Sequence, residues 1–128
     1  MKKAVRYFSK LGNTKTIAEA IAAGAGVRAV SIAEEPALTE FVDILYLGGA
    51  PYANIMAPEL KAYAERLDQS RVGTVRLFTT SNWSRRTVLA LKKLLREKGI
   101  QVEEAYFYAH MLHIHGRVEA ARDFGRKG

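Results

Sequence analysis

The 128-residue chain contains no cysteine, which excludes disulfides, thiolate metal sites and cysteine nucleophiles. Its 20 Lys and Arg outnumber its 13 Asp and Glu, and the formal net charge of +7 favours anions such as phosphates, nucleic acid or acidic partners. The length suits a single domain over residues 1–128, and no stretch approaches the length of a membrane span. We expect a cytoplasmic protein, because Arg6, Ser9 and Lys10 interrupt the apolar run that a secretory signal needs.

The first part of the chain alternates apolar runs with helical patterns. Residues 3–8 predict a strand, and the apolar positions of residues 14–23 fall on one face of a helix. Residues 27–32 predict a second strand at a flank of the sheet, and residues 33–42 predict a loop with a short helix. The compact apolar run at 43–47 predicts a strand that is buried on both faces.

The second part continues the alternation after a predicted loop at residues 50–57. Pro58 suits the first turn of a helix, and glycine at position 99 suits the end of another. The remaining predictions are a strand at 72–80, a turn at 81–84, a helix at 87–98, a strand at 100–108, a loop at 109–117 and a short helix at 118–124.

Strands that alternate with helices predict an α/β fold with a parallel sheet and helices on both faces. Five strands in the order 2-1-3-4-5 would bind a ligand at the carboxyl ends of strands one and three. Three predicted loops lie at that edge of the sheet: Ser9–Thr14, Gly48–Asn54 and Thr79–Ser84.

The first of these loops has the composition of a phosphate site. It joins a strand directly to a helix, so that the unpaired N–H groups and the dipole of the helix N-terminus favour an anion. Ser9, Asn13, Thr14 and Thr16 can donate hydrogen bonds to phosphate oxygens, and Gly12 permits close approach of the backbone.

Other families with this architecture fit the sequence poorly. Response regulators need carboxylates after strands one and three, where this chain has Ser9 and Gly48. The dinucleotide fingerprint, the Walker pattern and the serine nucleophile elbow are all absent.

The segment Tyr7–Thr14, which reads YFSKLGNT, resembles the FMN-phosphate loop of flavodoxins, Ser/Thr-x-Thr/Ser-Gly-Asn-Thr. Ala18 and Ile21 follow at the matching helical positions, whereas Leu11 stands where the family commonly has a hydroxyl residue. The resemblance implies a flavodoxin-like three-layer sandwich, FMN as cofactor, and electron transfer with a redox partner protein. The basic charge departs from acidic electron carriers of this type and favours an acidic partner.

The other two loops extend the resemblance. Gly48–Tyr52 resembles the second flavin loop, in which an aromatic side chain, here Tyr52, stacks on the isoalloxazine ring. Trp83 occupies the position of an aromatic that covers the other ring face. The residues expected to bind FMN are Ser9, Lys10, Leu11, Gly12, Asn13, Thr14, Gly49, Ala50, Pro51, Tyr52, Ala53, Asn54, Thr80, Ser81, Asn82 and Trp83.

Structural alternatives stay open for each motif. The Gly12–Thr14 segment also fits a capped turn, Tyr52 a surface or core tyrosine, and Trp83 a core anchor under the following helix. Two other functions are also compatible with the sequence. One is a small FMN-dependent NAD(P)H oxidoreductase, and the other is a flavin-less module that binds nucleic acid or an acidic partner through basic residues around 85–96. Nucleic acid is the less favoured partner, because such a helix exterior is usually only solvated, and no membrane contact is expected.

Two further features have no assigned role. His110, His113 and His115 share one predicted loop, and their spacing suits zinc or copper, although a solvent-facing loop is the favoured interpretation and no metal is expected. Arg6 and Arg76 fall within predicted interior strands, where an unpaired charge is costly, and Asp43 is a candidate counter-ion for one of them.

Overall fold

The computed structural model describes residues 1–52 and 55–127, which form a five-stranded parallel sheet between two layers of helices. The sheet order is β2-β1-β3-β6-β7, and a small antiparallel hairpin, β4–β5, lies outside it. This is the predicted order of five strands, once the hairpin is left out of the count. The elements are β1 Lys3–Phe8, α1 Asn13–Ala25, β2 Ala29–Ser31, β3 Val42–Gly49, β4 Pro51–Tyr52, β5 Ile55–Met56, α2 Pro58–Arg66, β6 Val72–Ser81, α3 Arg86–Glu97, β7 Phe107–His110 and α4 Val118–Arg126.

The core has two halves, one on each face of the sheet. Leu45 and Leu47 of β3 pack toward the side of α2 and α3, whereas Ile44 and Tyr46 pack toward α1 and α4. Both faces of β3 are therefore buried, which explains why its sequence is a continuous apolar run rather than an alternating one.

Two glycines allow α1 and α4 to pack closely. A Cβ atom on Gly24 would lie 1.9 Å from the carbonyl oxygen of Arg122, and one on Gly125 would lie 2.0 Å from that of Ile21. The backbones of the two helices touch at these positions, and α1 ends at Gly26, which has a φ of 76°.

Three local predictions need correction. Residues 33–41 contain turns and bends but no helix, because Pro36 and the Arg6–Glu35 ion pair hold that segment as a loop. The predicted loop at 50–57 contains the β4–β5 hairpin. The last strand spans only Phe107–His110, and of the predicted strand at 100–108 the earlier part makes a single bridge, from Val102 to Val75.

The structure also accounts for the two interior arginines. Arg6 pairs with Glu35 at 2.9 Å. Arg76 donates to the carbonyl oxygen of Phe124 at 3.1 Å and lies 4.5 Å from the centroid of the Phe124 ring, at the C-terminus of α4, where the helix dipole favours a cation. Asp43 is the counter-ion of neither, since it accepts the backbone N–H of Lys2 at 2.7 Å.

Candidate functional site

A cleft of about 210 Å³ opens at the carboxyl edge of the sheet, beside β1, β3 and β6. This is the switch point of the strand order, where ligands of open α/β sheets bind. All three predicted loops contribute to its walls. The lining residues are Ser9, Leu11, Asn13, Thr14, Ala50, Pro51, Tyr52, Thr80, Ser81, Asn82, Ser84 and Met111.

The N-terminus of α1 borders this cleft, and the described residues provide no hydrogen-bond acceptor for its first backbone N–H groups. Gly12 precedes the helix in a left-handed conformation with a φ of 95°, and no side chain within residues 1–52 and 55–127 caps the helix. The N–H of Thr16 donates to the carbonyl oxygen of Gly12, so the backbone N–H groups of Asn13, Thr14 and Lys15 lack an intrahelical acceptor. The left-handed Gly12 and the absence of a side-chain bond from the described residues to the helix N-terminus are compatible with a phosphate site, and the interpretation of this segment as only a capped turn stays open.

Two hydroxyl groups reinforce the loop. Ser9 Oγ accepts the N–H of Gly12 at 3.0 Å, which fixes the turn between β1 and α1. Thr14 Oγ1 and Thr80 Oγ1 share a buried hydrogen bond of 2.7 Å, which ties the start of α1 to the end of β6. The first contact orders the first loop, and the second holds the first and third loops in a fixed relation, as a preorganised binding site requires.

Tyr52 closes the side of the cleft formed by the hairpin. Its phenol oxygen accepts the backbone N–H of Lys10 at 2.8 Å, so the second loop is attached to the first. The Lys10 ammonium lies 4.7 Å from the centroid of the Tyr52 ring, and Phe8 meets that ring edge to face at 6.2 Å. Tyr52 is half-buried, and one of its faces is in contact with a cation.

The third loop is held by the neighbouring strand β7. The Tyr108 hydroxyl accepts the backbone N–H of Trp83 at 2.9 Å and donates to the carbonyl oxygen of Ser81 at 3.1 Å. Trp83 has a φ of 72°, a conformation that is costly for a residue with a Cβ atom, and these bonds help to maintain it. Trp83 is 78% exposed and its indole stacks on Tyr108, so it is not a core anchor.

The structure brings most of the predicted cofactor residues to the cleft, with some exceptions. Lys10, Gly12 and Gly49 belong to the same loops but are not among the lining residues, and the exposed Trp83 is not among them either. Ala53 and Asn54 fall outside the described residues. The binding role of every residue in this set remains a prediction.

Three residues at this edge are absent from the list of expected cofactor residues, although one of them, Ser84, lies in the predicted loop Thr79–Ser84. Ser84 and Met111 line the cleft, and Tyr108 supports the third loop. The pairing of β6 with β7, which places Ser81 opposite His110, brings these residues to the cleft. The predicted last strand ended at residue 108, so its end was not expected beside the third loop.

Two of the histidines lie close together beside the third loop. His110 bonds to Asn82, and its ring centroid lies 5.5 Å from that of His113. Among residues 1–52 and 55–127, no group of three or more His, Asp or Glu side chains is arranged to hold a metal ion.

The basic exterior of α3 is partly neutralised. Arg96 and Lys92 lie 3.1 and 3.7 Å from carboxylate oxygens of Glu104, and the Arg96 guanidinium lowers the pKa of that carboxyl below its usual value. None of the helices in the described ranges is both long and apolar enough to span a bilayer.

Solved structures with the same architecture identify the fold. The chain superposes on oxidised flavodoxin 2 from Bacillus cereus with a TM-score of 0.74 and 20% identity, over 98% of this chain and 95% of that one. For a flavodoxin from the domain Archaea the TM-score is 0.68 at 20% identity, over 99% and 98% of the two chains. The chain has the flavodoxin fold.

Another structure with this fold contains a ligand. Fusobacterium nucleatum flavodoxin bound to flavin mononucleotide matches with a TM-score of 0.65 and 16% identity, over 99% of this chain and 98% of that one. By contrast, no family model matches the sequence, and no curated protein matches it. The flavodoxin fold is thus shown by the three-dimensional arrangement rather than by close sequence relationship.

Proposed function

We propose that this chain binds FMN non-covalently in the cleft and carries electrons to or from a redox partner protein. The observation that carries the proposal is the uncapped N-terminus of α1, which faces the same cleft as the half-buried ring of Tyr52. Donors for a phosphate and an aromatic surface for a ring system therefore meet in one place. The flavodoxin neighbours, one of which contains FMN, support the choice of ligand.

The donor set fits a phosphomonoester. Three backbone N–H groups at the start of α1, with the hydroxyls of Ser9 and Thr14, would bond the phosphate oxygens, and the helix dipole adds attraction. Lys10, Leu11, Gly12 and Asn13 complete this first loop. The net positive charge of the chain favours a doubly ionised phosphate at longer range.

The ring of the cofactor would lie between the second and third loops. Tyr52 is the proposed stacking residue, and the segments Gly49–Asn54 and Thr80–Trp83 provide hydrogen bonds to the polar edge. Trp83 would need to turn from Tyr108 to cover the ring, so its role depends on movement of its side chain. The redox chemistry belongs to the flavin, and the chain supplies its binding and orientation.

A paired titration of the purified protein with FMN and with riboflavin tests the proposal. Both ligands carry the isoalloxazine ring, but only FMN carries the phosphate, so riboflavin is the matched control for the α1 site. We expect the fluorescence of both flavins to be quenched when they bind the protein. FMN should bind at least about tenfold more tightly than riboflavin, since charge-assisted hydrogen bonds contribute about 1.5–3 kcal/mol. Absence of FMN binding, or equal affinity for the two ligands, would contradict it.

A second measurement separates a carrier from an enzyme. The FMN-loaded protein is mixed with NADH or NADPH, with and without an added flavodoxin reductase. A carrier is reduced only when the reductase is present, whereas direct oxidation of the nicotinamide would favour the oxidoreductase alternative.

A further inference from the structure

The last residue of β7, His110, lies beside the third loop of the cleft. β6 and β7 pair in parallel with Ser81 opposite His110. His110 Nε2 lies 2.9 Å from Asn82 Oδ1, and its other ring nitrogen, Nδ1, lies 3.1 Å from the backbone nitrogen of Leu112.

These two contacts define the tautomer of His110. The Leu112 N–H can only donate, so Nδ1 must be the unprotonated nitrogen. The ring proton of the neutral imidazole then lies on Nε2 and is donated to the carboxamide oxygen of Asn82. The order of the bonds is Leu112 N–H to Nδ1, and Nε2–H to Asn82 Oδ1.

The tautomer in turn defines the orientation of Asn82. Because Oδ1 accepts from His110, the Nδ2 amide of Asn82 is on the other branch of the side chain, and Asn82 is one of the residues that line the cleft. An asparagine held in this way offers a hydrogen-bond donor to a ligand.

Neighbouring aromatic rings restrict the imidazole. Trp83 meets His110 edge to face at 4.8 Å, and His113 packs on it at 5.5 Å between ring centroids. The two hydrogen bonds fix the orientation of the ring, and neither of them involves the side chain of Trp83, which would turn when the cofactor binds.

We propose that His110 is a positioning residue that orients Asn82, so that the Asn82 amide donates to an acceptor atom on the ring edge of the bound cofactor. The inference rests on the proposed binding of FMN and adds a specific donor to it. His110 acts only through Asn82, which makes the two residues one unit in the binding energy.

The first test needs no cofactor. Long-range proton–nitrogen NMR spectra of the free protein report the tautomer of each histidine, with His110→Gln used for assignment. We expect the Nε2–H form for His110, and an Nδ1–H form or a rapidly exchanging mixture would overturn the inference.

The second test is a double-mutant cycle in affinity for FMN and riboflavin. Asn82→Ala removes the donor and His110→Phe removes the bond that orients it, so each should weaken binding about fivefold, the equivalent of one hydrogen bond. The double variant should bind no more weakly than Asn82→Ala alone. His110→Gln, whose amide can donate to Asn82, should restore part of the loss.

Comparison of the two ligands distinguishes this role from general damage to the site. Since the ring edge is common to both, FMN and riboflavin should lose affinity by the same factor, whereas a disturbed α1 loop would weaken FMN more. His115→Gln, which changes an exposed histidine outside the cleft, should bind as the parent protein does.

The outcomes separate the two proposals. If the parent protein binds no FMN, the proposed function fails, and the inference fails with it. If the parent binds FMN but the variants at 82 and 110 bind equally well, or their effects simply add, only the inference on His110 is overturned.

Discussion

The hydroxyl of Tyr63 is a polar group that the core encloses without a hydrogen-bond partner among the described residues. The side chain of Tyr63 is 1% exposed, in the core between the sheet and α2. Burial raises the pKa of Tyr63 to about 12, although the Arg6 guanidinium nearby acts in the opposite direction. The folded protein therefore resists the ionisation of this phenol.

The raised pKa of Tyr63 predicts a loss of stability at alkaline pH. The unfolded chain releases the phenol proton near its ordinary pKa of about 10, whereas the folded chain retains it to about pH 12. The free energy of unfolding should therefore fall by up to about 1.4 kcal/mol per pH unit between these values. Tyr63→Phe should remove this component and be neutral or slightly stabilising at pH 8, because the lost hydroxyl has no partner in the described chain.

Urea unfolding of both proteins at pH 8, 10 and 11 measures the effect. The difference between Tyr63→Phe and the parent should grow in favour of the variant above pH 10. Tyr106→Phe, at a half-buried tyrosine, is the control for other alkaline effects. Parallel pH curves for the parent and Tyr63→Phe would contradict the assignment.

The contact between helices α1 and α4 depends on missing side chains. Helix propensity alone predicts that Gly125→Ala stabilises the protein by about 1 kcal/mol. Here the added Cβ atom would lie 2.0 Å from the backbone oxygen of Ile21, so the helices must separate. We expect a net loss of about 1–3 kcal/mol in the free energy of unfolding, from overpacking against a backbone that cannot rotate away.

Gly116→Ala is the matched control, since nothing lies within 4 Å of a Cβ atom at that position. Thermal and urea unfolding should show changes in the free energy of unfolding that differ in sign, or clearly in size, between the two variants. A stabilised Gly125→Ala protein would show that the α1–α4 contact adjusts without cost.

At the scale of elements, the sequence predicted the features that depend on local periodicity. β1, α1, α3 and the sheet order are confirmed because each has a clear apolar pattern and a clear end. The predicted start of the last strand was wrong, because Ile100 and Val102 are buried in the same core cluster as the apolar side chains of α3 without forming a strand. Their segment makes one bridge to β6, and the chain joins the sheet only at Phe107. A local apolar pattern indicates that a segment is buried, but it does not indicate which element the segment packs against or pairs with.

The candidate site shows the same limit. Ser9, Thr14 and Tyr52 were found because the turns after β1 and β3 carry recognisable residues, and the parallel order brings those turns together. Two contacts join residues that are far apart in the sequence. Tyr108 bonds to Trp83, 25 positions away, and His110 bonds to Asn82, 28 positions away. Such pairs follow from the register of β6 and β7, which no single stretch of sequence contains.

The charge of the whole molecule has a consequence for the proposed cofactor. A net charge of +7 produces a positive field, which stabilises a doubly reduced flavin in its anionic form. Acidic carriers of the same fold would do the reverse. The second reduction potential should therefore be less negative here than in an acidic flavodoxin.

Ionic strength tests this field directly. Salt screens exposed charges, with a Debye length of about 10 Å at 0.1 M and about 3 Å at 1 M. The second reduction potential of the FMN-loaded protein should therefore become more negative as salt is raised from low concentration to 1 M. A potential that rises with salt would contradict a net positive field at the site.

Lys10 should be the largest single source of this effect, because its ammonium lies 4.7 Å from the ring of Tyr52, the proposed stacking partner of the flavin. One charge about 10 Å away in a water-like dielectric contributes roughly 0.4 kcal/mol, on the order of 18 mV for one electron. Lys10→Met should lower the second reduction potential by at least this amount at low salt. Lys98→Met removes the same charge after the C-terminus of α3, at the opposite edge of the sheet, and should change the potential less. Equal shifts in the two variants would mean that the potential follows net charge alone and that the position of Lys10 beside Tyr52 has no special effect.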